Sequence, residues 1–221
     1  MTREGFDKKL GDLQDEVLVL GSMVDKAIDR SIEALKKRDM EEARSIIADD
    51  VAINHKRFDI EEQALLLIAT QQPMARDLRF IAAVLSIITD LERMADHAEG
   101  NAKITLMLGD EPPLKPLIDI PRMALKAREM LRRALDALVD RDAEAAKQIA
   151  CEDDEIDGLY DQVYRELLTF MIQDPHTITR ATHLLWAAHN LERIGDRVTN
   201  ICERVVFTVT GRMEEMNVST Y

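Results

Sequence analysis

The stretch LLWAAHNLERIGDRVTNICERV, residues 184–205, decides the fold class. Its apolar residues Leu184, Ala188, Leu191, Ile194, Val198, Ile201 and Val205 are spaced by steps of four and three. A half-buried strand needs a period of two. Steps of four and three instead run an apolar seam along a helix that packs lengthwise on others. The same rhythm opens the chain, through Phe6, Leu10, Leu13, Val17, Leu20, Val24 and Ala27.

Working outward, the six prolines fall in three places: Pro73, then Pro112, Pro113, Pro116 and Pro121, then Pro175. With only eight glycines, the spans between them have few breakers. The pattern predicts six long helices, an all-α fold. They cover about 6–38, 39–70, 74–108, 121–139, 142–173 and 175–210. Asp39 is placed to cap the second helix, with Glu41 and Glu42 in its first turn. Gly109 and Gly211 close the third and sixth. The tail beyond Gly211 is expected to fray.

The second half repeats the first. Residues 34–54 and 137–157, offset by 103, share nine of 21 positions, among them Arg38/Arg141, Asp39/Asp142 and Asp50/Asp153. Residues 91–102 and 191–202, offset by 100, share Leu, Glu, Arg and Asp. A period near 100 residues means a duplicated small domain. The expected layout is a first three-helix bundle over 1–108, a Pro-rich linker over 109–121 and a second bundle over 122–221.

Composition narrows the function. The chain has 29 basic and 42 acidic residues, a net charge of −13 spread over both halves. Such a surface repels phosphate backbones, so nucleic acid and anionic lipid are poor partners, and free phosphate a poor direct ligand. Cys151 and Cys202 form neither a close pair nor a framework, and read as small core residues in a reducing compartment. Trp186 also reads as core. The opening MTREGFDKK lacks the apolar run of a signal peptide. The expectation is a cytoplasmic protein.

The third helix of each repeat carries the chemistry. Glu92/Asp96 and Glu192/Asp196 are carboxylates four apart on one helix face, where like charges repel. In a chain with 42 acids, chance alone supplies about eight such pairs. The signal is recurrence inside the same Leu-Glu-Arg-x-x-Asp frame. The register points both pairs away from the core, in line with Asn200 and Glu203 in one repeat and Glu99 in the other. Two readings stand: a solvated face shielded by Arg93 and Arg193, or an oxygen-ligand site for a hard cation. Helix-two groups Asp50/Asn54 and Asp153/Asp157 lie beside their own seams and add ligands if the two faces adjoin. No Glu-x-x-His occurs, which opposes a ferritin-like di-iron oxidase. Phosphate-cradling glycine loops and Gly-x-Ser-x-Gly are also absent.

The segments HNLERIGDRVTNICERVVFTVTG (189–211), DDEIDGLYDQVYRELLTFMIQDP (153–175) and TDLERMADHAEGNAK (89–103) resemble the PhoU family of phosphate-signalling regulators. The likeness runs over essentially the whole chain. It implies a non-enzymatic negative regulator of phosphate uptake and of phosphate-starvation signalling. Such a protein mediates between the phosphate ABC transporter ATPase and the phosphate-sensing histidine kinase, commonly as a homodimer, and reaches the membrane only through its partners. It also implies metal on Glu92, Asp96, Glu192, Asp196 and Asn200, the ion being Fe, Mn, Mg, Zn or Ca. Gly100 stands where Asn200 stands in the second repeat, Asn101 comes one place late, and Ala95 replaces Gly195. On those grounds the first site is expected to be the weaker. The rival readings are a carboxylate-metal enzyme on the same bundle and a metal-free helical scaffold.

Overall fold

A computed structural model describes residues 3–216. In chain order the helices are α1 (Arg3–Lys37), α2 (Met40–Gln71), α3 (Ala75–Leu108), α4 (Asp119–Asp140), α5 (Ala143–Ala150), α6 (Asp153–Gln173) and α7 (Ile178–Thr210). A 3₁₀ turn, Pro175–Thr177, leads into α7. No strand occurs among the described residues. The Arg-Asp dipeptide shared by the repeats makes the same turn twice. Arg38 and Arg141 take left-handed φ of 59° and 56°. Asp39 and Asp142 then cap the next helix by accepting from the Glu42 and Ala145 backbone N–H groups.

The fifth helix expected from the sequence is interrupted at Cys151–Glu152, which separates α5 from α6. There the Glu152 N–H bonds Ile149, three residues back, so the helix tightens for a turn. The Glu152 carboxylate is tied to Lys126 and Arg133 of α4 at 2.8 and 2.7 Å. Cys151, read as core, is exposed at this break, whereas Cys202 is buried. Trp186, also read as core, is 50% exposed. Residues 211–216 are not helical but lie against α7, the Met216 N–H donating to Glu203 at 2.9 Å. The rest of the tail lies outside the described residues.

The two repeats share one contiguous apolar core, because α3 packs along α7 and α1 along α4. Both pairs run antiparallel about a common pseudo-twofold axis. In the α3–α7 interface Asp90 accepts from Arg197 and Asn200 at 3.3 and 3.1 Å. The equivalent Asn190 meets His97 and Asn101 at 3.3 and 2.9 Å. At the α1–α4 crossing Leu135 fits against Gly21, where a Cβ would overlap it.

Candidate functional site

The acidic stripes lie on α3 and α7, and each faces the preceding helix of its own repeat. In the second repeat burial pushes the Asp157 carboxyl of α6 above its ordinary range, and the Glu192 and Asp196 charges push it further. Burial likewise raises Asp196; Arg193 opposes that shift and Glu192 adds to it. In the first repeat burial raises Asp50 of α2, helped by Glu99, Asp96 and Glu92. The helix-two acids and the helix-three stripes therefore do adjoin, in both repeats.

The stripes are less open than the register suggests. Glu192, expected to point away from the core, is only 3% exposed. Its two carboxylate oxygens accept from Arg193 Nε and Nη2 at 2.7 Å each, and His189 Nδ1 lies 3.4 Å away. The same guanidinium reaches Asp196 at 3.0 Å. In the first repeat Arg93 spans Glu92 and Asp96 more loosely, at 3.7 and 3.1 Å. The arginine inside each motif is thus a built-in cation over its acids. Among the described residues no three His, Cys, Asp or Glu side chains are grouped so as to hold a metal ion. The donors themselves suit a hard cation. Asp50 Oδ1 and Asn54 Oδ1 are buried oxygens with no hydrogen-bond partner, beside the first stripe.

A cavity of about 400 Å³ opens beside the second stripe. Asp196 and Asn200 line it with Asp153, Glu203 and Glu215, while Glu192 lies under Arg193 and does not. Asn200 is only half committed to the stripe, since its amide nitrogen donates to Asp90 across the pseudo-twofold. The first repeat has a cavity of about 230 Å³ with Asp50 and Glu99 in its wall; neither Glu92 nor Asp96 lines it. The two repeats differ for a steric reason. A Cβ at Gly195 would overlap Asp153 Oδ1, so the glycine lets that carboxylate press against α7, where it is 2% exposed. Ala95 bars the same approach to Asp50, which stays half-buried.

Gly100 and Asn101 also find their explanation here. Asn101 is buried in the α3–α7 interface on Asn190. A Cβ at Gly100 would come within 2.9 Å of the Asn190 amide nitrogen. The displaced asparagine serves the interface and not the stripe. Sequence reasoning missed the Asp90–Arg197–Asn200 network. The offset of 100 pairs Asp90 with Asn190, and polar residues at equivalent seam positions were the available signal.

The fold and these sites define a duplicated helical protein whose two acidic stripes are read through their own arginines. A model of the PhoU domain matches twice, over residues 17–105 and 120–205. The phosphate-specific transport system accessory protein PhoU homolog of Clostridium acetobutylicum is 39% identical over 218 residues, 98% of this chain and all of that protein. Its counterpart in Aquifex aeolicus is 39% identical over 186 residues, 84% of each chain. The crystal structure of PhoU from Pseudomonas aeruginosa superposes with a TM-score of 0.89 at 32% identity, covering 94% of this chain and all of that one. The phosphate transport system regulatory protein PhoU from Streptococcus pneumoniae gives 0.89 at 34%, covering 96% and 100%. The chain belongs to the PhoU family, whose members are regulatory and not catalytic. Among the described residues no helix is long and apolar enough to cross a membrane.

Proposed function

We propose that this PhoU chain is a cytoplasmic negative regulator of phosphate uptake and of phosphate-starvation signalling. It acts as an adaptor between the phosphate ABC transporter ATPase and the phosphate-sensing histidine kinase, with a homodimer as the working form. The observation that carries this reading is the family match on both repeats, over nearly the full length of relatives named as phosphate-transport accessory proteins. The continuous core supports it physically. A single stiff helical body holds two separate faces at a fixed spacing, as a two-partner adaptor requires.

The acidic sites are proposed to take a hard cation, with Asp50, Asn54, Glu92, Asp96 and Glu99 around the first. Asp157, Glu192, Asp196 and Asn200 surround the second. A cation supplies the charge that otherwise comes from Arg93 or Arg193, and those arginines must swing aside to admit it. The arginine contacts favour a second reading at rest, a metal-free scaffold in which the guanidinium does the shielding.

Elemental analysis with native mass spectrometry of the chelated and reloaded protein separates the two. Metal binding predicts retained stoichiometric metal and a stabilisation of RT ln(1 + [L]/Kd), about 2.7 kcal/mol at a hundredfold excess over Kd. Both are lost in Glu92→Gln/Asp96→Asn together with Glu192→Gln/Asp196→Asn. Unchanged metal content and stabilisation in that fourfold variant overturn the metal reading. The adaptor reading is tested apart from it, by co-purification with the transporter ATPase and the kinase. Capture of neither overturns it.

A further inference from the structure

A cavity far from both stripes reverses the chain's overall charge. It lies where the segment joining α3 to α4 folds over the C-terminal ends of α1 and α3 and the start of α7. Its volume is about 290 Å³, just under the roughly 300–1,000 Å³ of small-molecule sites. The apolar lining is leucines and prolines, with Leu35 from α1, Leu114 from the joining segment and Leu184 from α7. Every charged group in the lining is a cation: Lys36, Arg38, Lys115 and Arg180. In a protein with 42 acids and 29 bases, a carboxylate-free ring around an apolar hollow is a departure from the rest of the surface.

The four cations are not equally available. Lys115 is paired with Glu166. Arg180 lies 3.4 Å from Glu111 and donates to the Pro112 carbonyl at 3.0 Å. Among the described residues Lys36 has only an exposed pair with Glu33 at 3.4 Å, an interaction that contributes little. The Arg38 side chain, at the left-handed turn after α1, makes no hydrogen bond or ion pair among the described residues. Among the described residues, one guanidinium without a side-chain partner, backed by one weakly held ammonium, suits a single anionic head. A guanidinium also matches a carboxylate with two parallel hydrogen bonds.

We propose that this cavity binds a single-chain amphiphile with a carboxylate head, a medium-chain fatty acid, with its chain among the leucines and its head on Arg38 and Lys36. The cavity is too small for a two-chain lipid, and the ring of cations selects against cationic or neutral amphiphiles. This adds a ligand site to an adaptor, placed where the linker between the repeats is held down.

The test is titration calorimetry of the full chain with decanoate, decanol and decyltrimethylammonium, each below its aggregation threshold. Decanoate should bind one to one, at least tenfold more tightly than either of the others. The key variant is Arg38→Gly/Lys36→Gln. Glycine adopts the positive φ of residue 38 without strain, so this variant keeps the fold, as its melting curve will check. It should bind decanoate at least tenfold more weakly and decanol unchanged. Leu114→Trp, which fills the hollow, should weaken decanoate as well. Equal binding of all three amphiphiles, an unchanged decanoate affinity in Arg38→Gly/Lys36→Gln, or no saturable decanoate binding each overturn the proposal.

Discussion

Asp25 and Asp29 of α1 occupy, in the first repeat, the positions that Arg128 and Arg132 of α4 occupy in the second. The pseudo-twofold axis brings these equivalent positions face to face, so repeats of identical sequence would set like charges against each other. Arg128 donates to both Asp25 oxygens, at 2.9 and 3.3 Å, and is paired with Asp29; Arg132 reaches Asp25 at 2.8 Å. Burial alone would raise the Asp25 carboxyl. The hydrogen bonds and charges of the two arginines outweigh it and hold the group below its ordinary 3.8. The Asp25 and Arg128 side chains are 13% and 15% exposed. Breaking a fully buried pair costs about 3–5 kcal/mol. Here Arg132 remains and some water reaches the pair, so Arg128→Met is expected to cost about 2 kcal/mol. In a chain of this size that lowers Tm by about 4–8 °C. Asp25→Arg/Asp29→Arg should cost more, because four cations then face one another. Adding Arg128→Asp/Arg132→Asp to it should restore stability to within about 1 kcal/mol of the parent. Urea unfolding at pH 7 and 25 °C measures all three. Arg128→Met within about 0.5 kcal/mol of the parent, or a fourfold swap no more stable than the double reversal, would refute the idea that opposite charge welds the repeats.

Two further outcomes follow from the packing and charge of the acidic stripes. Gly195→Ala gains about 1 kcal/mol of helix propensity but overpacks Asp153 by about 1–3 kcal/mol, so a net loss near 1 kcal/mol is expected. Gly158→Ala, with nothing within 4 Å of its Cβ, should gain stability instead, and equal gains in urea at both sites would contradict the steric account. Asp50, Asp157 and Asp196 have carboxyls raised above 3.8, so each binds its proton more readily folded than unfolded. Their contribution is full below 3.8 and lost as pH rises through the raised values. The metal-free parent should therefore lose more stability than Glu192→Gln/Asp196→Asn as pH is raised from 3.8 to 7. Parallel pH curves for the two proteins would count against the mutual repulsion.

Much of the fold was legible because apolar spacing, proline position and internal repetition report on the chain's own local geometry. Asp39 at the head of α2 and Gly109 behind α3 are read from neighbours three or four residues away, and both stand where expected. The break at Cys151–Glu152 is not local in that sense. It coincides with Glu152 being held by Lys126 and Arg133, from a helix about twenty residues upstream. The burial of Glu192 escaped the register for a similar reason. A heptad ranks positions against one seam, whereas α7 is packed by α3, α4, α5 and α6 together. A residue off one seam is then on another. The exposure of Trp186 is the opposite error, an apolar type read as core although its position faces outward.

If the stripes take cations as proposed, their unequal dress sets the order in which they load. From the sequence, the missing asparagine at Gly100 and the alanine at 95 marked the first site as the weaker. The structure explains the first reason without removing it, since Asn101 and Gly100 belong to the α3–α7 interface and position 100 still offers no ligand. It also changes the balance of costs. A cation at the second stripe must displace Arg193, which makes two 2.7 Å bonds to a carboxylate that is 3% exposed. Charge-assisted bonds of that kind are among the strong ones. At the first stripe Arg93 stands 3.7 Å from Glu92 and is more exposed, and Asp50 and Asn54 each hold an oxygen that no donor fills. The first site gains more and gives up less. Stepwise metal titration followed by native mass spectrometry should therefore show Glu92→Gln/Asp96→Asn removing the tighter ion and Glu192→Gln/Asp196→Asn the weaker. Arg193→Ala should narrow the gap by freeing the second stripe. Tighter loading of the second site in the parent, with Arg193→Ala leaving it unchanged, would show that the arginines do not compete with the cation at all.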